Sequence, residues 1–290
     1  MEYIIHTLSH TVWHVFVETL KILPFLFLMY LFLEWMEHRA GEKSEEIVSK
    51  TGRTGPLFGG LLGLLPQCGF STAAAGLYSG GIISAGTLLA VFLSTSDEMI
   101  AVLFSGGVKL RAILIILAYK FIVSLIAGFG VDLFWKKRKE SEFETHCHEE
   151  GCHCEDKGIF RSALFHSIKI FIFILVVSIA IHTTVELVGE ERLAKLFGDI
   201  PVVSNLLAAL IGLIPNCAAS VVVTELYVSG VITLGAMLSG LLVGAGAGLL
   251  VLLKVNASAK ENLRFIIILF IAGTLGGMVA DFIGLEGILV

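Results

Sequence analysis

Long apolar runs recur from one end of the chain to the other, each closed by a short polar stretch. A hydrocarbon core of ~30 Å needs roughly 20 apolar residues in a helix, so the pattern predicts membrane helices. The first run spans 10–34 and is ended by the charged stretch Glu34 to Arg53. A second, 56–79, is interrupted at Pro66-Gln67-Cys68. Gly80-Gly81 then leads into 82–104, which carries Ser94-Thr95-Ser96-Asp97-Glu98 in its interior, an expected unwound stretch. Lys109 and Arg111 mark a loop before a helix at 112–134. Beyond the hydrophilic segment 135–161 come a helix at 162–186, a broken run at 202–228, a glycine-rich run at 230–253 and a helix at 263–284. The first run lacks the basic region and small-residue cleavage site of a secretory leader, so it is read as a membrane helix.

The second half restates the first. Pro66-Gln67-Cys68 and Ser71 return 149 residues later as Pro215-Asn216-Cys217 and Ser220. In the same register lie Gly63/Gly212, Tyr78/Tyr227, Gly81/Gly230 and Gly86/Gly235. Apolar bias does not account for paired Pro, Cys and Tyr in one register, so the chain is read as an internal duplication. Its expected parts are a first membrane repeat at 1–134, a loop at 135–161 and a second repeat at 162–290.

Loop charge bears on how the halves point. If each broken run crosses the bilayer, the loop Lys and Arg split 11 to 6 between the two faces; if each dips in and returns, they split 13 to 4. The positive-inside rule favours the second arrangement. It implies an all-α polytopic membrane protein with an inverted repeat, each half having three crossings and a re-entrant helical hairpin. Loops 35–55, 135–161 and 254–264 are then cytoplasmic and both termini outside. The arms 57–65 and 69–79 are about 13 and 16 Å long as helices, which brings their tips near the midplane. A single kinked helix is the alternative, and it leaves the Pro-x-Cys pair at the same depth.

Composition narrows the class. The chain is 56% hydrophobic and 16% charged, which leaves no room for a large soluble domain. A net charge of −5 without a basic surface cluster argues against nucleic-acid binding. No P-loop, H-E-x-x-H or G-x-S-x-G pattern occurs, so no enzyme activity is expected. Gly240 to Gly248 lies inside an apolar run and reads as close helix packing.

The candidate chemistry begins at the two tips. Gln67, Cys68 and Ser71 from one half, and Asn216, Cys217 and Ser220 from the other, offer soft thiolates with amide and hydroxyl oxygens. Thiolate suits Zn, Cu(I) and arsenic-like thiophiles, although a free cysteine is equally at home as a small buried apolar residue. Intramembrane carboxylates are a functional hypothesis by default, and Asp97, Glu98 and Glu225 join the expected substrate site on that ground. The segment His146 to Asp156 holds His146, Cys147, His148, Cys152, His153 and Cys154, a density that suits Zn²⁺ or Cu. It lacks the spaced pairs of a zinc finger and is read as a metal-capturing tail. No cofactor is expected beyond the transported metal ion, Zn on this loop being the one candidate. His10, His14 and Glu18, with His6, share a helical stripe and form a candidate proton path. His182 and Glu186 repeat that spacing in the second half.

The paired Pro-x-Cys hairpins, the Ser-Thr-Ser-Asp-Glu patch and the His/Cys-rich loop resemble the ten-helix heavy-metal exporter family. Its members are labelled arsenic efflux proteins or manganese transporters. Six crossings and four hairpin arms make the ten helical segments that the resemblance implies. It further implies export of a metal or metalloid from the cytoplasm. The leading expectation is a secondary-active, proton-coupled exporter of a transition-metal cation (Zn, Mn or Cu) in a bacterial or archaeal plasma membrane. Efflux of arsenite or another thiophilic oxyanion is one alternative, and a membrane metal sensor working through its loop is another. The expected partners are the lipid bilayer and the metal ion, with a second copy of the chain as a further candidate.

Overall fold

The computed structural model describes residues 54–65, 68–96, 99–135, 159–188 and 201–289, with scattered helical positions between 16 and 31. Every described element is a helix, turn or loop. Helix α1 (Gly55–Gly63) carries Pro56 in its first turn, where the missing N–H costs nothing. Helix α2 (Cys68–Ser79) follows, and a turn whose Gly81 has φ 72° leads into α3 (Ala85–Ser94). The chain continues through α4 (Met99–Ser105), α5 (Leu110–Phe134) and α6 (Ile159–Val188). The second half contains α7 (Pro201–Gly212), α8 (Cys217–Val228), α9 (Leu234–Val243), α10 (Ala247–Val255), α11 (Ala259–Phe282) and a short α12 (Leu285–Leu289).

Burial sorts these helices into an inner and an outer set. Every residue of α3 and of α9 is buried. By contrast, α5 and α11 bury one face and expose the other. On α11 the exposed stripe runs Leu263, Ile267, Ile271, Leu275 and Val279, and on α5 it includes Leu110, Leu114, Ile122 and Ile126. Apolar residues repeated every four positions toward the exterior suit lipid as the solvent. Four stretches, Ala85–Ser105, Leu110–Phe134, Leu234–Val255 and Ala259–Phe282, are long and apolar enough to cross a membrane. The chain is a polytopic helical membrane protein.

Small residues set the inner contacts. Gly55, Gly59 and Gly63 line one side of α1 against α3. A Cβ at Gly59 would stand 2.8 Å from the Thr87 carbonyl oxygen, and one at Gly63 2.5 Å from that of Val91. Such spacing lets backbones approach where lipid supplies no hydrophobic drive. The order of these contacts shows α1 and α3 running the same way. Helix α2 returns between them through the tight Gly80–Ser84 turn, so the chain reverses between α1 and α2.

Both halves use one capping device. Asp132 on α5 accepts hydrogen bonds from Gly86 N (2.8 Å) and Ser84 Oγ (2.8 Å) at the start of α3. Shifted by 149 residues, Asp281 on α11 accepts from Gly235 N (2.9 Å) and Thr233 Oγ1 (3.1 Å) at the start of α9. A carboxylate at a helix N-terminus satisfies orphan amides and complements the dipole. The close crossings repeat as well: a Cβ at Gly128 would lie 2.8 Å from the Gly86 oxygen, and one at Gly277 2.3 Å from the Gly235 oxygen.

Second-arm helices pack across the halves. The start of α2 meets the start of α10, where a Cβ at Gly248 would be 2.8 Å from Ser71. The end of α8 meets the end of α4, with Val228 against Gly106. The equivalent helices α5 and α11 run antiparallel. The Tyr119 hydroxyl donates to the Gly276 carbonyl, while sixteen residues after Tyr119 and twelve before Gly276 the Arg264 guanidinium lies 4.4 Å over the Trp135 ring.

Candidate functional site

Two helices are interrupted at the same depth. Helix α3 ends at Ser94, and Thr95 turns away from it with φ −50° and ψ 127°. The local cause is a run of hydroxyls that bond to the preceding turn. Ser94 Oγ donates to the Ala90 carbonyl (2.8 Å), and Thr95 Oγ1 to that of Val91 (2.7 Å). Such side chains offer the backbone an alternative to the helix ladder. The second break falls at Gly244-Ala245-Gly246, between α9 and α10, where Gly246 adopts φ 53° and ψ −142°. That region is open to glycine alone. The glycines of 240–248 therefore interrupt a helix as well as allowing close packing, which corrects the expectation of packing alone.

The reversals between α1 and α2 and between α7 and α8 come to these breaks. A Cβ at Gly63, at the end of α1, would clash with Ser94 beside the first break. One at Gly212, at the end of α7, would stand 2.2 Å from the Gly240 oxygen just before the second. Ser71, at the start of α2, lies against Gly248 just after the second break. Hairpin ends from both halves thus flank Gly244–Gly246.

At this level sits a cation that sequence reading passed over. Lys120, midway along α5, is fully buried. Its ammonium donates to the Thr95 carbonyl in the first break, and to the Leu241 carbonyl at the end of α9 (3.1 Å). Lysine is almost never fully buried unless paired, and an ionisable group inside a membrane marks function by default. A lone Lys in the run 112–134 is a legible signal, and the sequence reading missed it.

Among the expected site residues, Ser71 is buried, and Asn216 is 7% exposed at the N-cap of α8. The Asn216 Oδ1 accepts from Ala218 N (3.3 Å), which fixes the amide; its Nδ2 is buried without a partner. Ser220 lies one turn into α8, half-buried, and its carbonyl accepts from Thr224 Oγ1 (2.6 Å). Glu225 is exposed near the far end of α8, so the structure does not bring it to the tip with Asn216. Nine helical residues separate the two, about 13 Å along the axis. Cys68 and Cys217 are the first residues of α2 and α8, and their side chains fall outside the described part. Gln67, Asp97, Glu98, the loop residues His146, Cys147, His148, Cys152, His153 and Cys154, and His10, His14 and Glu18 lie outside the described residues altogether. Of His182 and Glu186 only the backbone, within α6, is described. Among the described residues no group of three or more His, Cys, Asp or Glu comes together.

Two broken helices, hairpin ends pressed against the breaks and a buried ammonium between them define a membrane protein with a polar interior. The chain matches, over residues 2–191 and 168–290, the family described as "Putative, 10TM heavy-metal exporter", and it belongs to that family. Comparison with curated proteins and with solved structures gives no match.

Proposed function

We propose that this protein is a secondary-active exporter of a transition-metal cation, exchanging it for protons by alternating access, with its site at the two helix breaks. The observation that carries the reading is the meeting of hairpin ends and breaks at one depth. Freed backbone at a break is tolerated in a membrane only inside protein or along a wet cavity, and carriers place their sites on such discontinuous helices. Asp97 and Glu98 follow Ser96 directly in the chain, and Cys68 and Cys217 begin the two second arms. Together they supply carboxylate and thiolate donors suited to a borderline-soft divalent ion. Lys120 offsets one of the two carboxylates and leaves a net negative charge for the cation.

The halves are taken as an inverted repeat, supported by the antiparallel packing of α5 and α11 and by capping devices that recur at the same offset. Loop charge supports loops 35–55, 135–161 and 254–264 on the cytoplasmic face, where the His/Cys tail would gather metal before export. Gln67, Ser71 and Ser220 complete the contacts to the cation, with Asn216 beside them; Glu225 stands apart.

Asn216 favours a second reading. Its oxygen accepts from Ala218 N while its buried Nδ2 has no partner, which leaves an N–H donor toward the interior. A bare cation has no use for a donor, whereas the oxygen of a metalloid hydroxide or oxyanion accepts one. The readings separate in reconstituted vesicles loaded in turn with Zn, Mn, Cu and arsenite. Under the cation reading, Asp97→Asn and Cys68→Ser each lower metal flux at least tenfold, while Asn216→Ala leaves most of it. Under the metalloid reading, Asn216→Ala abolishes arsenite flux and Asp97→Asn spares it. Wild-type flux in both carboxylate and cysteine variants refutes the site.

A further inference from the structure

The last carbonyls of a helix have no donor within it and carry the negative end of its dipole. At the centre of this molecule two such ends face each other, one from each half: α3, closing at Thr95, and α9, closing at Val243. Thr95 O and Leu241 O are carbonyls of these ends, and both are bonded by the one ammonium of Lys120. That ammonium is fully buried and is delivered from the middle of a 25-residue helix. Carbonyl oxygens converging from broken helices are the donor set that holds monovalent cations in membrane carriers.

The arrangement has no copy in the other half. The position 149 residues after Lys120 is Leu269, apolar and fully buried, and the position matching Thr95 is Gly244. One cation serves both halves, from a place where the duplication has diverged.

We propose that the ends of α3 and α9 form a monovalent-cation site that this chain fills with its own Lys120, a tethered cation holding the two breaks together. The inference deepens the site reading above by naming a second ligand position within it, and rests on that reading for its role in transport. It also assigns a requirement: the carrier needs no dissolved Na⁺ or K⁺ to assemble its interior.

The test is thermal unfolding of the purified full chain in detergent, at fixed ionic strength, in choline, sodium, potassium and methylammonium chlorides. The wild type is expected to unfold at one temperature in all four. Lys120→Ala, which vacates the position, is expected to unfold early in choline, whose cation is too large to enter. A small cation should raise its midpoint saturably by roughly 5–10 °C, the scale of a ligand present well above its Kd. Lys120→Met fills the space without charge and should stay low in every salt. The proposal is overturned if Lys120→Ala gains nothing from any small cation, including the case in which it stays unfolded in all of them. It is equally overturned if Lys120→Met matches the wild type. Since no step of the measurement involves transport, its failure is distinct from failure of the metal-site assignment.

Discussion

Gly212→Ala is expected to abolish the folded protein. The new Cβ would lie 2.2 Å from the Gly240 carbonyl oxygen, 2.9 Å from its carbon and 3.1 Å from its Cα, all backbone atoms of a helix buried on every side. No side chain can swing away to relieve the contact, so α7 and α9 must separate at the second break. The cost exceeds the ~1–3 kcal/mol of ordinary overpacking, which spreads strain over movable side chains. Size-exclusion chromatography after detergent extraction should show aggregate in place of a single folded peak. Gly130→Ala is the internal control. A Cβ there meets nothing within 4 Å, and alanine is favoured over glycine in a helix interior by up to about 1 kcal/mol. The same chemical change should therefore be neutral or stabilising there. A soluble, monodisperse Gly212→Ala protein would show that α7 and α9 are not in backbone contact.

The second large effect is expected at Asp281. Its carboxylate receives Gly235 N, Thr233 Oγ1 and Asn205 Nδ2 (2.8 Å), and Asn205 in turn accepts from Ser239 Oγ at 2.6 Å. Asp281→Ala removes the shared acceptor of three part-buried donors, of which only Asn205 Nδ2 keeps another, the Pro201 carbonyl (2.9 Å). At about 1–3 kcal/mol for each buried unsatisfied group, the loss is roughly 3 kcal/mol or more. In a domain of this size that lowers the unfolding midpoint by about 10 °C. Asp281→Asn keeps an acceptor oxygen for one or two donors and should fall between. An unchanged midpoint in Asp281→Ala would mean that the start of α9 is held by other contacts.

Sequence reading recovered the frame of the molecule for a physical reason. Apolar runs of membrane length, broken by proline and glycine, leave little choice of element, and 149-residue identities tie the halves together. The unwinding after Ser94 was legible because three hydroxyls in succession compete for the backbone. The break at Gly244–Gly246 was missed because glycine serves close packing and helix interruption equally, and only φ 53° at Gly246 decides between them. Asp132 and Asp281 could have been found, since they are acids in one register at the same offset, but each stands near a helix end, where an acid reads as an interfacial residue. Lys120 was missed because composition gives no hint of what a lone lysine meets. Two of its partners are the backbone carbonyls of Thr95 and Leu241, and these carry no sequence signature. Glu225 is the converse case: an acid inside an apolar run drew a site role, and it sits exposed near the end of its arm, away from Asn216.

On the proposed function, metal crosses the bilayer through the site at the breaks in exchange for protons. The most direct measurement is metal-resolved flux in vesicles carrying the wild-type protein alone, with an imposed pH gradient and a proton-sensitive dye. A transition metal is expected to move against proton flow, in the reverse direction when the gradient is reversed and not at all when the gradient is collapsed. Vesicles that move none of Zn, Mn or Cu under either gradient, with the protein shown to be folded and inserted, would contradict it.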